Sequence, residues 1–384
     1  MSTSSRPGPV GTSDGAGLRT GRVQPRLDVP PPRLHVAARL EDRFDTALAA
    51  LLRRRGWTLR IVGYTGYGTG GRVRVLARTL LAAPTVGQDD LPGQDDTSHE
   101  QPAVRGFRSF FTASVAGAQV LAHVGGRVHT LTTDRGGYLD ALVEADLPPG
   151  WHEITLTSID GARATAPVLV VGPDPVDGIV SDIDDTVMVT RLPRPLVAAW
   201  NVFVRHENAR EPVPGMAGLY RALGGDDPAR PVVYLSTGAW NAAPAIARFL
   251  RRHDLPVGPL LLTDWGPTNT GWFRSGPTHK VTQLRRLFTD LPQVRWTLVG
   301  DDGQHDPVIY AGAVEHHPEH VRAVLVRRLT PGEHVLSHGA PARPAGTGEA
   351  EDDTARGGVP VLEGADGVEL LRAARTHGLL TAQA

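Results

Sequence analysis

The 384-residue chain contains no cysteine. That absence excludes disulfides, thiolate metal sites and cysteine nucleophiles, and it leaves the redox compartment open. Lysine is nearly absent too: of 40 Lys plus Arg residues, only Lys280 is a lysine. Arginine serves most surface salt bridges, so one surviving lysine points to a place that needs a compact ammonium rather than a planar guanidinium. An incidental surface position is the plainer alternative. Excess charge of one sign is also missing. A formal net charge of −1 argues against a protein built as a whole for nucleic acid or an anionic membrane, while leaving room for local basic patches. No apolar run approaches the roughly 20 residues of a membrane span. The opening MSTSSRPGPVGTSDG has no apolar core followed by a small-residue cleavage site, so the expected localisation is cytoplasmic.

What is present divides along the chain, and the length suits two or three domains. Residues 1–34, rich in Gly, Pro, Ser and Thr, are expected to form a disordered leader. Residues 35–172 read as a helix plus a β-sandwich-like accessory domain. The helix is EDRFDTALAALLRRR (41–55), acidic at its start and basic at its end as the helix dipole favours. Strands are expected at Trp57–Tyr64 and Arg72–Leu80 around a turn carrying Gly66, Gly68, Gly70 and Gly71, then at 117–123, 126–132, 138–144, 151–157 and 164–171. Short, regularly punctuated strands argue for an antiparallel sandwich. Pro84 to Gln101 reads as a polar loop, and His123, His129 and His152 as scattered strand side chains rather than metal ligands.

From 177 the pattern becomes α/β. Strands at 179–182, 231–236, 259–263, 295–300 and 321–327 alternate with helices at 216–223, 241–252, 279–289 and 306–312. Such alternation implies a parallel sheet with right-handed crossovers. The domain is expected to span 177–330, followed by a flexible linker at 338–357 and a strand–helix tail at 358–384 that docks back on it.

Chemistry concentrates in four places. In DGIVSDIDDT, an apolar run stops in Asp182, Asp184 and Asp185. Clustered carboxylates disfavour one another unless a cation or shared proton intervenes. At the carboxyl end of a strand they read as a metal-assisted site, against the alternative of a solvated acidic turn. PVVYLS then ends in Ser236, Thr237 and Gly238, where hydroxyls and backbone N–H groups at a helix start would hold an anion; N-cap serines look the same. Lys280 lies in the next helix, and TLVG leads into Asp301, Asp302 and Asp306.

These four sites, in this order, resemble the haloacid dehalogenase superfamily: DIDDT, a strand-terminal Ser/Thr, a Lys, and a GDxxxxD variant at Gly300, Asp301 and Asp306. SDIDDTV, YLSTGAWN, His279-Lys280 and VGDDGQHDPVIY are similar to the catalytic domain of the actin-patch-type, Mg²⁺-dependent phosphatidate phosphatases. VPVLEGADG is similar to that family's tail. Ala239 and Asp302 depart from its pattern, at positions that bear on substrate contacts. The resemblance implies an α/β, HAD-like parallel-sheet domain with a small cap or none. It implies a Mg²⁺-dependent phosphomonoester hydrolase acting through an aspartyl-phosphate, with phosphatidate converted to diacylglycerol. Phosphatase activity on a soluble metabolite or phosphoprotein, and a non-catalytic lipid-binding or scaffold protein, are the alternatives. Asp182 is the implied nucleophile and Asp184 the acid/base, which Thr186 helps to fix. Ser236, Thr237, Gly238 and Lys280 are the implied phosphate-binding groups. Asp182, the Asp184 carbonyl, Asp301 and either Asp306 or Asp302 are the implied metal-site groups.

The short spacing between motifs leaves no room for a full cap domain, which suits a large or membrane-bound substrate. RLPRPLVAAWNVFVR (191–205) places Leu192, Leu196, Trp200 and Phe203 near one helical face with arginines about it. It is expected to contact a membrane surface as a lid, or else to pack as a cover helix.

Overall fold

A computed structural model of the chain describes residues 47–83, 113–189, 210–225, 227–263, 276–303, 305–333, 354–355 and 358–380. The leader 1–34, the loop 84–101, the segment 191–205 and nearly all of 338–357 lie outside the described residues.

Residues 47–54 are helical (α1). Eight strands follow: β1 (Thr58–Thr69), β2 (Arg72–Ala82), β3 (Ala113–Ser114), β4 (Gln119–Val124), β5 (Arg127–Thr132), β6 (Tyr138–Glu144), β7 (Gly150–Ser158) and β8 (Arg163–Val171). They form one sheet in the order β3-β2-β1-β8-β7-β4-β5, with β6 also on β2. Alternating burial along β4 and β5 matches strands with one face on the core and one in water. Val120, Ala122, Val124, Leu131 and Leu156 meet in that core. The expected antiparallel pairing holds except at β1–β8, which run parallel over Gly66–Thr69.

The glycine-rich stretch differs from expectation. Gly66 and Gly68 lie inside β1, which continues to Thr69, and only Gly70 and Gly71 make the turn. A Cβ on Gly66 would run into the carbonyl oxygen of Arg74 on β2. Glycine here marks a close approach of backbones at a register shift rather than a turn.

The second sheet is built from β9 (Val176–Ser181), β10 (Val232–Ala239), β11 (Leu260–Thr263), β12 (Val294–Asp301), β13 (Val321–Arg327), β14 (Thr354–Ala355) and β15 (Val359–Gly364). Helices α2 (Met216–Gly224), α3 (Ala243–Arg252), α4 (Gly276–Asp290), α5 (Asp306–His316) and α6 (Gly367–Thr376) accompany them. Strand order is β11-β10-β9-β12-β13-β15-β14, with every pair parallel except β14–β15. The near-continuous burial of β9 through β13 is what a sheet covered on both faces requires. Chain order reverses beside β9: β10 lies on one side and β12 on the other. Open α/β sheets bind ligands at such a switch point, outside the carboxyl ends of the strands.

Beyond β13 the chain returns. β15 pairs with β13 from Val324↔Val361 to Arg327↔Gly364. Asp366 caps α6 by accepting from Val368 N and Glu369 N, and Glu369 Oε2 reaches back past the cap to accept from Ala365 N. Buried Leu370 and Ala374 join the apolar cluster of the second sheet.

Tyr67, Leu76, Leu169 and Val171 of the first sheet belong to that same cluster. Polar ties flank the junction. Tyr67 OH donates to Asp290 at 3.0 Å, and Arg74 and Arg286 both donate to Asp140.

Candidate active site

Asp182 directly follows β9, where the parallel ladder ends with Asp182 N donating to Val299 O on β12. The next residues turn tightly. Val187 N and Met188 N both donate to Ile183 O, and Asp185 adopts a left-handed φ of 59°. Residues 187–189 then pair with 211–213, Val189 N donating to Glu211 O and Val213 N to Val187 O. Asp182, Asp184, Asp185 and Thr186 are all buried.

Four elements supply the centre. Asp182, Asp301 at the end of β12 and Asp306 at the start of α5 each offer an oxygen within 4.8 Å of the others. Lys280, from the first turns of α4, stands between two of them: its Nζ is 2.7 Å from Asp182 Oδ1 and 2.6 Å from Asp306 Oδ1. Burial alone would push this ammonium's pKa down. The Asp182 and Asp306 carboxylates outweigh that and hold it well above lysine's ordinary value, so it is charged at neutral pH. With all four groups ionised, three carboxylates against one ammonium leave an excess of two negative charges. Buried like charges at this separation call for a further cation. Asp306 Oδ2 is buried with no hydrogen-bond partner, and the donors are all carboxylate oxygens. That set fits a hard cation such as Mg²⁺.

Around the triad, Thr186 Oγ1 lies 3.3 Å from Asp182 Oδ2 and 3.4 Å from Asp301 Oδ2, and Gly303 N donates to Asp301 Oδ1. Ser236 is on the strand side: its Oγ donates to Asp184 Oδ2 at 3.1 Å and accepts from Gly238 N at 2.9 Å. Ser236, Thr237 and Gly238 thus lie at the end of β10, ahead of a short 3-10 turn and α3. Thr263 Oγ1 donates to the carbonyls of Thr237 and Gly238, tying this end of β10 to β11. The Asp302 carboxylate turns elsewhere, accepting from Leu329 N at 2.8 Å, and is outside the three-carboxylate group. Asp184 faces Ser236 rather than that group.

Sequence names Gly300 only as part of the GDxxxxD motif and gives Arg210 and Arg327 no distinct signal. Gly300 leaves space for Asp306, whose Oδ2 would be 2.6 Å from a Cβ placed there. Arg210, next to the paired 211–213 segment, sits in the field of Asp184 and Asp185; burial pushes its guanidinium pKa down, against the pull of both carboxylates. Arg327 ends the apolar run VRAVLVR and donates to the carbonyl of Asp185. A buried charge at a strand's carboxyl end was a signal of sorts, but one hidden among 39 arginines.

The comparisons with known proteins fall on the same segment. Residues 177–328 match the family model described as the catalytic domain of phosphatidate phosphatase APP1. The resemblance read from the four motifs is therefore present across the whole segment that carries the centre. Among individual proteins, the chain is 28% identical over 203 residues to phosphatidate phosphatase APP1 of Saccharomyces cerevisiae, an alignment covering 51% of this chain and 34% of that protein. The chain thus spans about a third of its curated relative's length. Among solved structures, a glycosyl hydrolase family 2 member from Bacteroides cellulosilyticus aligns over 73% of this chain and 37% of its own at 9% identity. Its TM-score of 0.21 carries no statement about fold.

Proposed function

We propose that the chain is a Mg²⁺-dependent phosphomonoester hydrolase that converts phosphatidate to diacylglycerol through an aspartyl-phosphate. On this reading the second sheet with its helices is a HAD-like domain, and the first sheet is its sandwich-like accessory. The observation that carries the proposal is Lys280 bridging Asp182 and Asp306 inside a three-carboxylate centre at the switch point, within the segment that matches the family model.

In the first half-reaction an Asp182 carboxylate oxygen bonds to phosphorus as the ester P–O bond breaks, and Asp184 gives its proton to the departing alkoxide. In the second, Asp184 takes a proton from water as that water bonds to phosphorus, and the P–O bond to Asp182 breaks to release phosphate. Ser236, hydrogen-bonded to Asp184, orients the acid/base and is assigned to bind a phosphoryl oxygen. Lys280 offsets the repulsion between the Asp182 carboxylate and a phosphate dianion. A Mg²⁺ ion held by Asp182, Asp301 and Asp306, with the Asp184 main-chain carbonyl, would supply the remaining positive charge.

Phosphate release from phosphatidate in detergent micelles, with Mg²⁺ and with EDTA, tests this beside a soluble chromogenic phosphomonoester. Turnover is expected with Mg²⁺, abolished by EDTA and by Asp182→Asn. Turnover of the soluble ester alone would keep the chemistry and discard the lipid. Wild-type protein inactive on both would overturn the proposal.

A further inference from the structure

We propose that Arg327 is a positioning residue for the acid/base Asp184, acting through the main chain of Asp185 and braced by Glu333 and the C-terminal segment. The inference rests on the function proposed above and on Asp184 as its proton donor.

The Arg327 side chain is nearly fully buried, with a relative exposure of 6%. Each of its three nitrogens has a partner. Nη1 donates to Asp185 O at 2.7 Å, Nη2 to Glu333 Oε1 at 2.8 Å, and Nε to Ala365 O at 3.2 Å. A planar fork meeting three acceptors in different directions is a fixed bracket, something a lysine cannot reproduce. Burying a guanidinium in this way is costly unless its donors are used.

The arrangement matters because of where the first contact falls. Asp185 is one of two non-glycine residues with positive φ among the described residues. Such a conformation persists only where its surroundings over-determine it. Two bonds do so here: Asp185 N donates to Met188 O, and Arg327 holds Asp185 O. Asp184 is the residue immediately before, so the direction of its carboxylate toward Ser236 depends on that turn.

Support reaches outside the segment that matches the family model. Glu333 Oε2 accepts from both Thr330 N and Thr330 Oγ1, which fixes the carboxylate gripping Arg327. Ala365 belongs to the turn between β15 and α6, and nearby Gly367 N donates to Pro214 O, just past the paired 211–213 segment. The main chain of Arg327 also pairs with Asp301 in the β12–β13 ladder and accepts from Asp302 N. The C-terminal segment therefore takes part in holding the catalytic turn. By contrast, Asp182 has its own anchors in Val299 O and Lys280. Loss of Arg327 should disturb the proton donor before the nucleophile.

That asymmetry is measurable. A general acid matters most when the leaving group is a poor one and little when the leaving group is already acidic. Hydrolysis of the aspartyl-phosphate is common to both esters, so the readout is kcat/KM, which reports the first half-reaction. We expect Arg327→Ala to lower kcat/KM on phosphatidate, an alkyl ester, about a hundredfold, and to change kcat/KM on 4-nitrophenyl phosphate far less. Asp184→Asn should show the same ratio. Glu333→Gln, at a partly exposed residue, should show the same pattern more weakly and stands in if Arg327→Ala does not fold. Equal losses of kcat/KM on both esters in a folded variant would mean general damage and overturn the proposal, as would unchanged kcat/KM on phosphatidate. Wild-type protein inactive on both esters would instead remove the function on which it rests.

Discussion

Lys280 shows how one residue's chemistry follows from its surroundings. Its Nζ is held between two carboxylate oxygens at 2.7 and 2.6 Å in a place only 3% exposed. A point charge with three rotatable donors fits between two acceptors; a guanidinium is broader and must present its donors in one plane. Lys280→Arg is therefore expected to lower kcat about 100-fold or more, although it conserves charge and the rest of the chain uses arginine throughout. Steady-state kinetics beside a thermal melt check this. A variant as active as wild type would show that any cation suffices. The scarcity of lysine made this position stand out before any geometry was known. Arg327 had no such contrast, because its role depends on Asp185 142 positions away.

At the scale of elements, the site is made by strand ends and the helix starts that follow them. β12 delivers Asp301, a short turn follows, and α5 opens with Asp306. Gly300 lets these two elements close on each other, since a Cβ there would press on Asp306 and the Tyr310 ring. Gly300→Ala is expected to cost about 1–3 kcal/mol of stability, as overpacking does, and to reduce turnover by displacing Asp306. Chemical denaturation and kcat measured on the same preparation would test it; wild-type values for both would show that α5 yields freely. Strands of the second sheet were legible because continuous apolar runs end abruptly in polar residues, as VRAVLVR does at 327. The glycines of β1 were misread for a physical reason: a close backbone approach and a turn both call for a residue without a Cβ.

At the scale of the whole molecule, the two sheets are joined beside the helix that carries Lys280. Arg286 and Asp290, at the far end of α4, meet Asp140 and Tyr67 of the first sheet, which Arg74 links to each other. Burial would raise the Asp140 carboxyl pKa; Arg74 and Arg286 outweigh it and bring the value to about 2 from the usual 3.8. A depressed carboxylate pKa contributes stability that is fully present above pH 3.8 and lost as pH falls toward 2. Asp140→Asn should thus lower the thermal midpoint at neutral pH and lose less on acidification through that window. A mutant with the wild-type acid profile would show that the junction owes nothing to this charge.

The sequence by itself determined which chemical groups exist and roughly where strands end: three aspartates after each of two apolar runs, a lone lysine between them, and a serine at a third strand's end. Those are local facts, set by residue type and hydrophobic pattern. Tertiary structure decided which of these groups meet. Asp306 joined Asp182 and Asp301 while Asp302 turned to Leu329 N, and Lys280 reached Asp182 across 98 positions. The tail's Ala365 came to lie against Arg327. Such partnerships depend on strand order and on which way each carboxylate faces at a strand end. Neighbouring aspartates in one turn are alike in composition and differ only in direction, so packing alone separates them.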